Sequence, residues 1–78
     1  MSHFQFCEPV ILKAGDHVVE VRDALQASQA LAQSWPETRG KWYYAANRAC
    51  RSAVKGETSA LRARDMFKAA VDESRIGA

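Results

Sequence analysis

Large apolar side chains occupy alternate positions near the start of the chain. Over residues 4–13, one set of alternate positions includes Phe4, Phe6, Val10 and Leu12. A period of two places successive side chains on opposite faces of a strand, so this pattern predicts a β-strand with one apolar face. Pro9 has no N–H to donate to a neighbouring strand, which predicts an edge strand or two shorter pieces.

A turn and a second strand are predicted to follow the first strand. The AGDH segment is rich in turn-forming residues, and Gly15 can adopt a positive φ without steric strain. The next segment, HVVEV, is short enough and apolar enough for a second strand. Two short strands joined by a tight turn predict a β-hairpin.

The first predicted helix lies in the segment RDALQASQALAQSWP. At 100° per residue, six of its side chains fall within an arc of about 120°, which makes the helix amphipathic. These six are Ala24, Leu25, Ser28, Leu31, Ala32 and Trp35. Three glutamines lie on the far side. Because Pro36 disfavours helical geometry in the residue before it, we expect the helix to end at Trp35.

Two further helices complete the predicted fold. The second spans about 41–55, with Gly56 as the left-handed residue that ends it. The third spans about 59–74, capped by Thr58 or Ser59. Its predicted buried face consists of Ala60, Ala63, Phe67, Ala70, Val71 and Ser74, with Met66 at the edge. The order ββααα predicts an α+β fold, a small domain made of an N-terminal β-hairpin followed by three α-helices.

The length of 78 residues suits a single domain over 1–78, with 1–3 and 76–78 expected to be disordered. A chain of this size buries only roughly 60–65% of the surface that its unfolded form exposes, so a homodimer would add useful burial. The net charge of +2 is too small to indicate an anionic partner by itself.

Features of secreted and membrane proteins are missing from the sequence. Cys7 and Cys50 are far apart and form no CxxC motif, so we expect no disulfide framework. The N-terminal segment does not resemble a signal peptide, since Glu8 interrupts its apolar residues. No segment approaches the ~20 apolar residues that span a bilayer. We therefore expect a cytoplasmic protein with no membrane partner.

Four short segments resemble a known family. In chain order they are PVILKAG, SWPETRG, AANRAC and ARDMFKAAVDES. They are similar to a small bacterial family, known mainly from alpha-proteobacteria, that is catalogued as domain of unknown function 982. The most specific pieces are Trp35-Pro36, Arg39-Gly40, Ala49-Cys50 and Ala63-Arg64 with Phe67. The resemblance implies a small, free-standing cytoplasmic protein, and it implies no reaction, ligand or catalytic residue.

The predicted inner face of the second helix is rich in alanine. On a wheel that takes Lys41 as zero, its apolar arc spans roughly 40–180°. This arc contains Trp42, Ala45, Ala46, Ala49, Cys50 and Ala53. We expect Trp42 to point into the core and Tyr43 to lie at its margin, both against the first helix. The large side chains expected to fill the core are Leu25, Leu31, Trp35 and Phe67.

The opposite side of this helix carries basic side chains and one tyrosine. We call this set the basic stripe; it consists of Lys41, Tyr44, Arg48, Arg51 and Lys55. Residues 39–55 contain five basic residues and no acidic one, whereas the rest of the chain has six basic and nine acidic residues. A solvated helix face usually mixes both signs, because like charges four residues apart repel. The basic stripe is therefore the candidate binding site.

Three interpretations of the basic stripe stay open at this point. The first is a solvated face whose cations are favoured near the helix C-terminus by the helix dipole. The second is an interaction surface for an acidic protein patch or a symmetric second copy, with Asp16, Glu20 and Glu57 as complements. The third is nucleic-acid binding, with phosphate contacts from the cations and stacking by Tyr44.

Catalytic and metal-binding patterns are weak in this chain. His3 and His17 form no cluster with metal-ligand spacing, and we expect His17 to be exposed. Cys50 lies on the flank of the apolar face, which favours a buried structural role over a nucleophilic one. The glycines are isolated, so no phosphate-binding loop is predicted. We expect no cofactor, no metal and no enzymatic activity, and we predict a protein-interaction or regulatory module with nucleic-acid binding as the alternative.

Overall fold

Two strands and three helices make up the computed structural model, which describes residues 5–14, 16–33, 35 and 40–74. In chain order they are β1 (Gln5–Ala14), β2 (His17–Asp23), α1 (Ala24–Gln33), α2 (Lys41–Val54) and α3 (Ala60–Ser74). The strands form one antiparallel sheet, so the predicted ββααα order and α+β class are confirmed. The predictions for Phe4, His3, Gly15, Pro36 and the two chain ends lie outside the described residues.

The N-terminal half of β1 is irregular. Val10 pairs with Val21 and Gln5 pairs with Asp23, so residues 6–9 of β1 face a single residue of β2. Pro9 lies in this irregular stretch, as expected for a residue that cannot donate to a ladder. β1 is thus one strand with a bulge rather than two separate pieces.

Arg64 of α3 holds the bulged part of β1 against the helices. Its Nε donates a hydrogen bond to the backbone carbonyl of Glu8 at 2.9 Å. Its guanidinium also lies 3.6 Å from the Glu8 carboxylate. A backbone carbonyl beside a bulge needs a partner outside the regular ladder, and Arg64 provides one.

The sheet covers the helices with one face only. Its inner face consists of Phe6, Val10, Leu12 and Val21, all buried. β1 packs on α3, and β2 packs on α1. The alternate residues of both strands face outward, and Ile11 and Val18 are among the exposed ones. The predicted apolar face of the first strand is therefore confirmed for its described residues.

The buried side of α1 differs from the predicted arc. Ala27 and Ala30 are buried, whereas Leu25 is 45% exposed and Ala32 is exposed. The expectation that Leu25 helps to fill the core was wrong. Because α1 packs against both β2 and α2, it buries its alanine-rich side, where small side chains let the neighbouring backbones approach closely.

Trp35 lies beyond the end of α1, which stops at Gln33 rather than at Trp35 as predicted. The indole is buried, and its Nε1 donates a hydrogen bond to Ser74 Oγ at 2.9 Å. The ring lies 5.6 Å from the ring of Phe67 on α3, measured between centroids. Leaving the helix allows Trp35 to cross from α1 to α3, which closes one end of the core.

The aromatic contribution of α2 to the core comes from Tyr43 rather than from Trp42. Tyr43 is 7% exposed, whereas Trp42 is half-buried against the edge of the core. The Tyr43 hydroxyl donates a hydrogen bond to the Leu31 carbonyl at 2.9 Å. That carbonyl belongs to the last turn of α1, where helices lack internal partners. The predicted order of burial for these two aromatic residues was therefore wrong.

Glu73 of α3 lies against the start of α2. A Cβ on Gly40, the residue before α2, would overlap the Glu73 carboxyl group, so glycine permits this approach. The first turn of α2 contains no acidic residue of its own. A carboxylate at a helix N-terminus is favoured by the helix dipole, although Glu73 Oε1 is buried and has no hydrogen-bond partner among the described residues.

A short turn joins α2 to α3 and fixes their relative position. Gly56 has φ +79°, and its N–H donates to the Ala53 carbonyl at 3.0 Å. The Glu57 N–H donates to the Ser52 carbonyl at 2.8 Å, which completes a Schellman motif. Ser59 Oγ then accepts a hydrogen bond from the Arg62 N–H at 3.1 Å and caps α3. The predicted roles of Gly56 and Ser59 are confirmed.

Candidate interaction surface

All five residues of the basic stripe are exposed on the outer side of α2. Lys41 begins the helix and Lys55 follows its last residue. At 1.5 Å per residue, the fourteen steps between them span about 21 Å. The stripe is therefore a continuous surface that runs along the whole of α2.

The inner side of α2 determines which side faces outward. Its buried residues are Tyr43, Ala46, Ala49, Cys50 and Ala53. This buried arc is turned by about 30° from the predicted one on the helical wheel. Ala45, at about 40° on this wheel, falls outside the buried arc and is half-buried, and the basic stripe lies fully outside the arc. Trp42, at about 100°, lies within the arc but is only half-buried, in the first turn of α2.

Tyr44 is the apolar member of the basic stripe. It is 63% exposed, although its ring is one of the largest apolar groups on α2. The Tyr44 ring and the buried Tyr43 ring form a T-shaped pair. Their centroids are 5.2 Å apart and their planes lie at 89° to each other. The hydrogen bond from the Tyr43 hydroxyl to α1 fixes the position of the Tyr43 ring. Tyr44 therefore packs against a ring that is held in place by the fold.

The cations of the basic stripe lack acidic partners in the described part of the chain. Lys41 Nζ lies 5.3 Å from the centroid of the Trp42 ring, a cation–π contact. Arg48, Arg51 and Lys55 make no ion pair or side-chain hydrogen bond with any described residue. Arg22 and Arg64, in contrast, pair with Glu20 and Glu8. Within the described part of the chain, no acidic side chain neutralises Arg48, Arg51 or Lys55.

Two shallow grooves flank Arg48. The first, of about 360 Å³, lies within the basic stripe and is lined by Tyr44, Asn47, Arg48, Arg51, Ser52 and Lys55. The second, of about 250 Å³, lies between α2 and α3, and we call it the interhelix groove. Ala45, Ala49 and Met66 line it with apolar surface, and Arg48 and Arg62 supply cations. Arg48 therefore belongs to both grooves.

A family model matches most of the chain. The model described as "Protein of unknown function (DUF982)" matches residues 8–78. The chain belongs to the DUF982 family. The match confirms the resemblance carried by the four sequence segments. No curated protein and no solved structure matches the chain. The DUF982 description states no activity.

The two cysteines of this DUF982 protein differ in burial. Cys50 is fully buried, and burial raises the pKa of its thiol to about 12. Its Sγ lies 3.9 Å from the Ala63 carbonyl. The predicted structural position of Cys50 is thus confirmed, and so is the exposure of His17. Cys7 is exposed on β1.

Metal-ligand clusters and membrane-spanning helices are not found in the described part of this DUF982 chain. Within residues 5–14, 16–33, 35 and 40–74, no three His, Cys, Asp or Glu side chains are grouped as metal ligands would be. Among the helices of the same ranges, none combines the length and hydropathy that crossing a bilayer requires.

The interhelix groove was missed in the sequence. It depends on the relative position of α2 and α3, which bring Met66 and Arg62 next to Ala45 and Arg48. The turn signals at Gly56 and Ser59 predicted that these helices are consecutive and closely joined. The side chains that meet across them depend on helix rotation, which such signals do not determine.

Proposed function

We propose that this DUF982 protein is a non-enzymatic protein-interaction or regulatory module whose basic stripe binds an acidic surface of another protein. The observation that carries the proposal is the lack of acidic partners for Arg48, Arg51 and Lys55 among the described residues. These cations lie on one side of one helix, so a single acidic surface can contact them together.

The spacing of the cations supports a role outside the fold. Arg51 and Lys55 are four residues apart, a spacing at which like charges on a helix repel each other. Their repulsion slightly destabilises the isolated chain, and a bound acidic surface would convert it into attraction. Complementary charge also accelerates the encounter between partners, with an effect that salt weakens.

Tyr44 supports a protein partner as well. Tyrosine and arginine are enriched at the energetic centres of protein interfaces, where they combine apolar contact with hydrogen bonding. Tyr44 is 63% exposed and lines the same groove as Arg48 and Arg51. Covering this ring would remove apolar surface from water while its hydroxyl stays available for a hydrogen bond.

Nucleic-acid binding is the alternative function for the same surface. An exposed tyrosine among cations is the arrangement that stacks on an unpaired base while the cations contact phosphates. Against this alternative, the stripe has four cations and the chain a net charge of only +2. Specific nucleic-acid binding typically uses more phosphate contacts than this, so we favour the acidic protein partner.

A second copy of the chain is a special case of an acidic partner. Asp16, Glu20 and Glu57 are exposed and lie outside the basic stripe. In a symmetric dimer they are the complements that the sequence offers. Sedimentation equilibrium from about 1 to 200 µM distinguishes this case, since a self-associating chain shows a mass that rises with concentration and falls with salt.

The test compares two double charge-reversal variants that change the net charge equally. Arg48→Glu with Arg51→Glu alters the basic stripe, and Lys13→Glu with Lys68→Glu alters exposed lysines outside it. Fluorescence anisotropy measures binding of a labelled twelve-residue glutamate peptide, a 20-base-pair DNA and a 20-nucleotide RNA at low salt. Circular dichroism checks that each variant is folded.

We expect the glutamate peptide to bind the wild type and the lysine control, and to lose binding to the stripe variant. Equal losses in both variants would mean that only net charge matters. Tighter stripe-dependent binding of DNA or RNA would favour the nucleic-acid alternative. The absence of binding by all three probes at low salt would leave the solvated-face interpretation and overturn the proposal.

A further inference from the structure

We infer that the interhelix groove holds one bulky apolar side chain of the acidic partner, so that the protein recognises an acidic peptide segment with an apolar anchor. This inference rests on the proposed function and adds a specificity element to it. The basic stripe alone attracts any anionic surface. The interhelix groove lies beside it, shares Arg48 with it, and offers a different kind of contact.

The floor of the interhelix groove is apolar. Ala45 and Ala49 are one helical turn apart on α2 and face Met66 of α3. Small alanines leave the depression, and methionine is a flexible side chain that adapts to differently shaped apolar groups. A volume of about 250 Å³ suits one large side chain and is too small for a whole helix.

The rim of the interhelix groove carries positive charge and hydroxyl groups. Arg48 and Arg62 line it from the two helices, and no carboxylate lines it. Neither guanidinium has an acidic partner among the described residues. The Ser52 and Thr58 hydroxyls also line the groove and make no side-chain hydrogen bond within those residues. Every polar side chain at this rim can therefore contact a carboxylate.

Charge complementarity and the apolar floor together define the occupant. A carboxylate pairs well with arginine, and residues that flank an inserted side chain come within reach of both rims. A nucleic-acid backbone would satisfy the arginines and leave the apolar floor uncovered. A neutral apolar segment would cover the floor and leave the arginines unpaired. An acidic segment with one leucine, phenylalanine, methionine or tryptophan satisfies both.

The first step of the test is selection from a phage-displayed library of random twelve-residue peptides on the immobilised full chain. We expect enriched peptides to contain one bulky apolar residue with two or more acidic residues within four positions. Enrichment of acidic peptides without an apolar residue would overturn the groove inference and leave the proposed function intact. Enrichment of no acidic peptide would overturn both.

The second step measures the affinity of the most enriched peptide, made synthetically with a fluorescent label. Arg62→Glu should weaken it about tenfold or more, since Arg62 lines the interhelix groove and not the groove within the stripe. Arg62 is exposed in the first turn of α3, where an acidic residue is well tolerated. The matched control is Lys68→Glu, an equal charge change on the same helix.

The control should retain affinity within about twofold, and replacing the peptide's apolar residue by serine should weaken binding about tenfold. Equal effects of Arg62→Glu and Lys68→Glu would overturn the inference. A variant with Arg51→Glu and Lys55→Glu tests the stripe alone, because neither residue lines the interhelix groove. If it loses binding while Arg62→Glu does not, the proposed function stands without the groove.

Discussion

The two sides of α2 have opposite relations to the rest of the molecule. The inner side contacts α1 and α3 through small residues and one aromatic ring, and its polar atoms have partners, as the Tyr43 hydroxyl does at α1. The outer side exposes Tyr44 and cations without acidic partners in the described part of the chain. Packing accounts for the inner residues, whereas nothing within the described fold requires the outer ones.

The difference between the two sides distinguishes residues that stabilise the fold from residues that are candidates for binding. Residues that the fold uses, such as Arg64 at the β1 bulge, have identifiable partners. Arg48 and Arg51, in contrast, have no acidic partner among the residues that the structure describes. Substitutions on the inner side of α2 should therefore change the stability of the fold, and substitutions on the outer side should change binding.

The largest expected effect distinguishes the adjacent tyrosines. Tyr43→Ala removes a buried ring and its hydrogen bond, and should lower the free energy of unfolding by roughly 3–5 kcal/mol. Tyr44→Ala, its matched control, removes an exposed ring and its contact with the Tyr43 ring, and should change that energy by about 1 kcal/mol or less. Urea titrations monitored by circular dichroism measure both. Similar losses from the two substitutions would show that the inner and outer sides of α2 do not differ in their contribution to stability.

The order of elements could be predicted because it depends on local signals. Alternation indicated β1, a short apolar segment after a turn indicated β2, Gly56 and Ser59 marked the turn between α2 and α3, and the buried face of α3 followed from its spacing. These signals arise from backbone sterics and helix capping, which act over a few residues. Distant parts of the chain have little influence on them.

The rotation of the helices could not be predicted in the same way. Leu25 proved exposed and Tyr43 proved buried, because tertiary packing decides how an alanine-rich helix turns toward its neighbours. A hydrophobic arc with many alanines has a shallow optimum, so a rotation of about 30° is enough to bring Tyr43 from the margin into the buried arc. The interhelix groove, which depends on two such rotations, could not be inferred from sequence at all.

The exposure of the basic stripe was predictable, since charged side chains oppose the apolar arc whatever the detailed rotation. All five residues are exposed in the structure. Their role in binding stays a prediction, because exposure and missing partners are properties of the chain alone. That Arg48 has no acidic partner among the described residues could not be known without the positions of the acidic residues on other elements.

A smaller effect tests how α2 is attached to α1. Tyr43→Phe keeps the buried ring and removes the hydroxyl that donates to the Leu31 carbonyl. The substitution leaves a carbonyl in the last turn of α1 without this partner, so we expect a loss of about 1–2 kcal/mol. Urea titration measures it. A loss close to zero would show that water replaces the tyrosine hydroxyl and that the two helices are held by packing alone.

The buried thiol predicts a pH-dependent effect on the inner side. Burial raises the pKa of Cys50 from 9.0 to about 12, so the folded chain keeps this proton while the unfolded chain releases it above about pH 9. The contribution of Cys50 to stability is therefore complete below pH 9 and is lost as the pH rises towards 12. The expected loss is roughly 1 kcal/mol per pH unit within that window.

Cys50→Ala provides the control for this pH dependence, because other groups also titrate at high pH. The difference in unfolding free energy between wild type and variant should be constant from pH 7 to 8.5 and shift in favour of the variant from pH 9 to 10.5. A constant difference throughout would mean that the thiol is not buried. At pH 8, iodoacetamide should modify the exposed Cys7 rapidly and Cys50 only as the chain unfolds.

The stability of a chain with a neutral stripe tests most directly whether Arg48, Arg51 and Lys55 make a net contribution to the fold, and we expect none. Arg48, Arg51 and Lys55 are replaced together by glutamine, a good helix former, and the free energy of unfolding is measured in urea. Losing the favourable position of Arg51 near the helix C-terminus should offset the relief of like-charge repulsion. We predict that the free energy of unfolding changes by about 0.5 kcal/mol or less. A loss well above about 1 kcal/mol would show that these cations stabilise the fold.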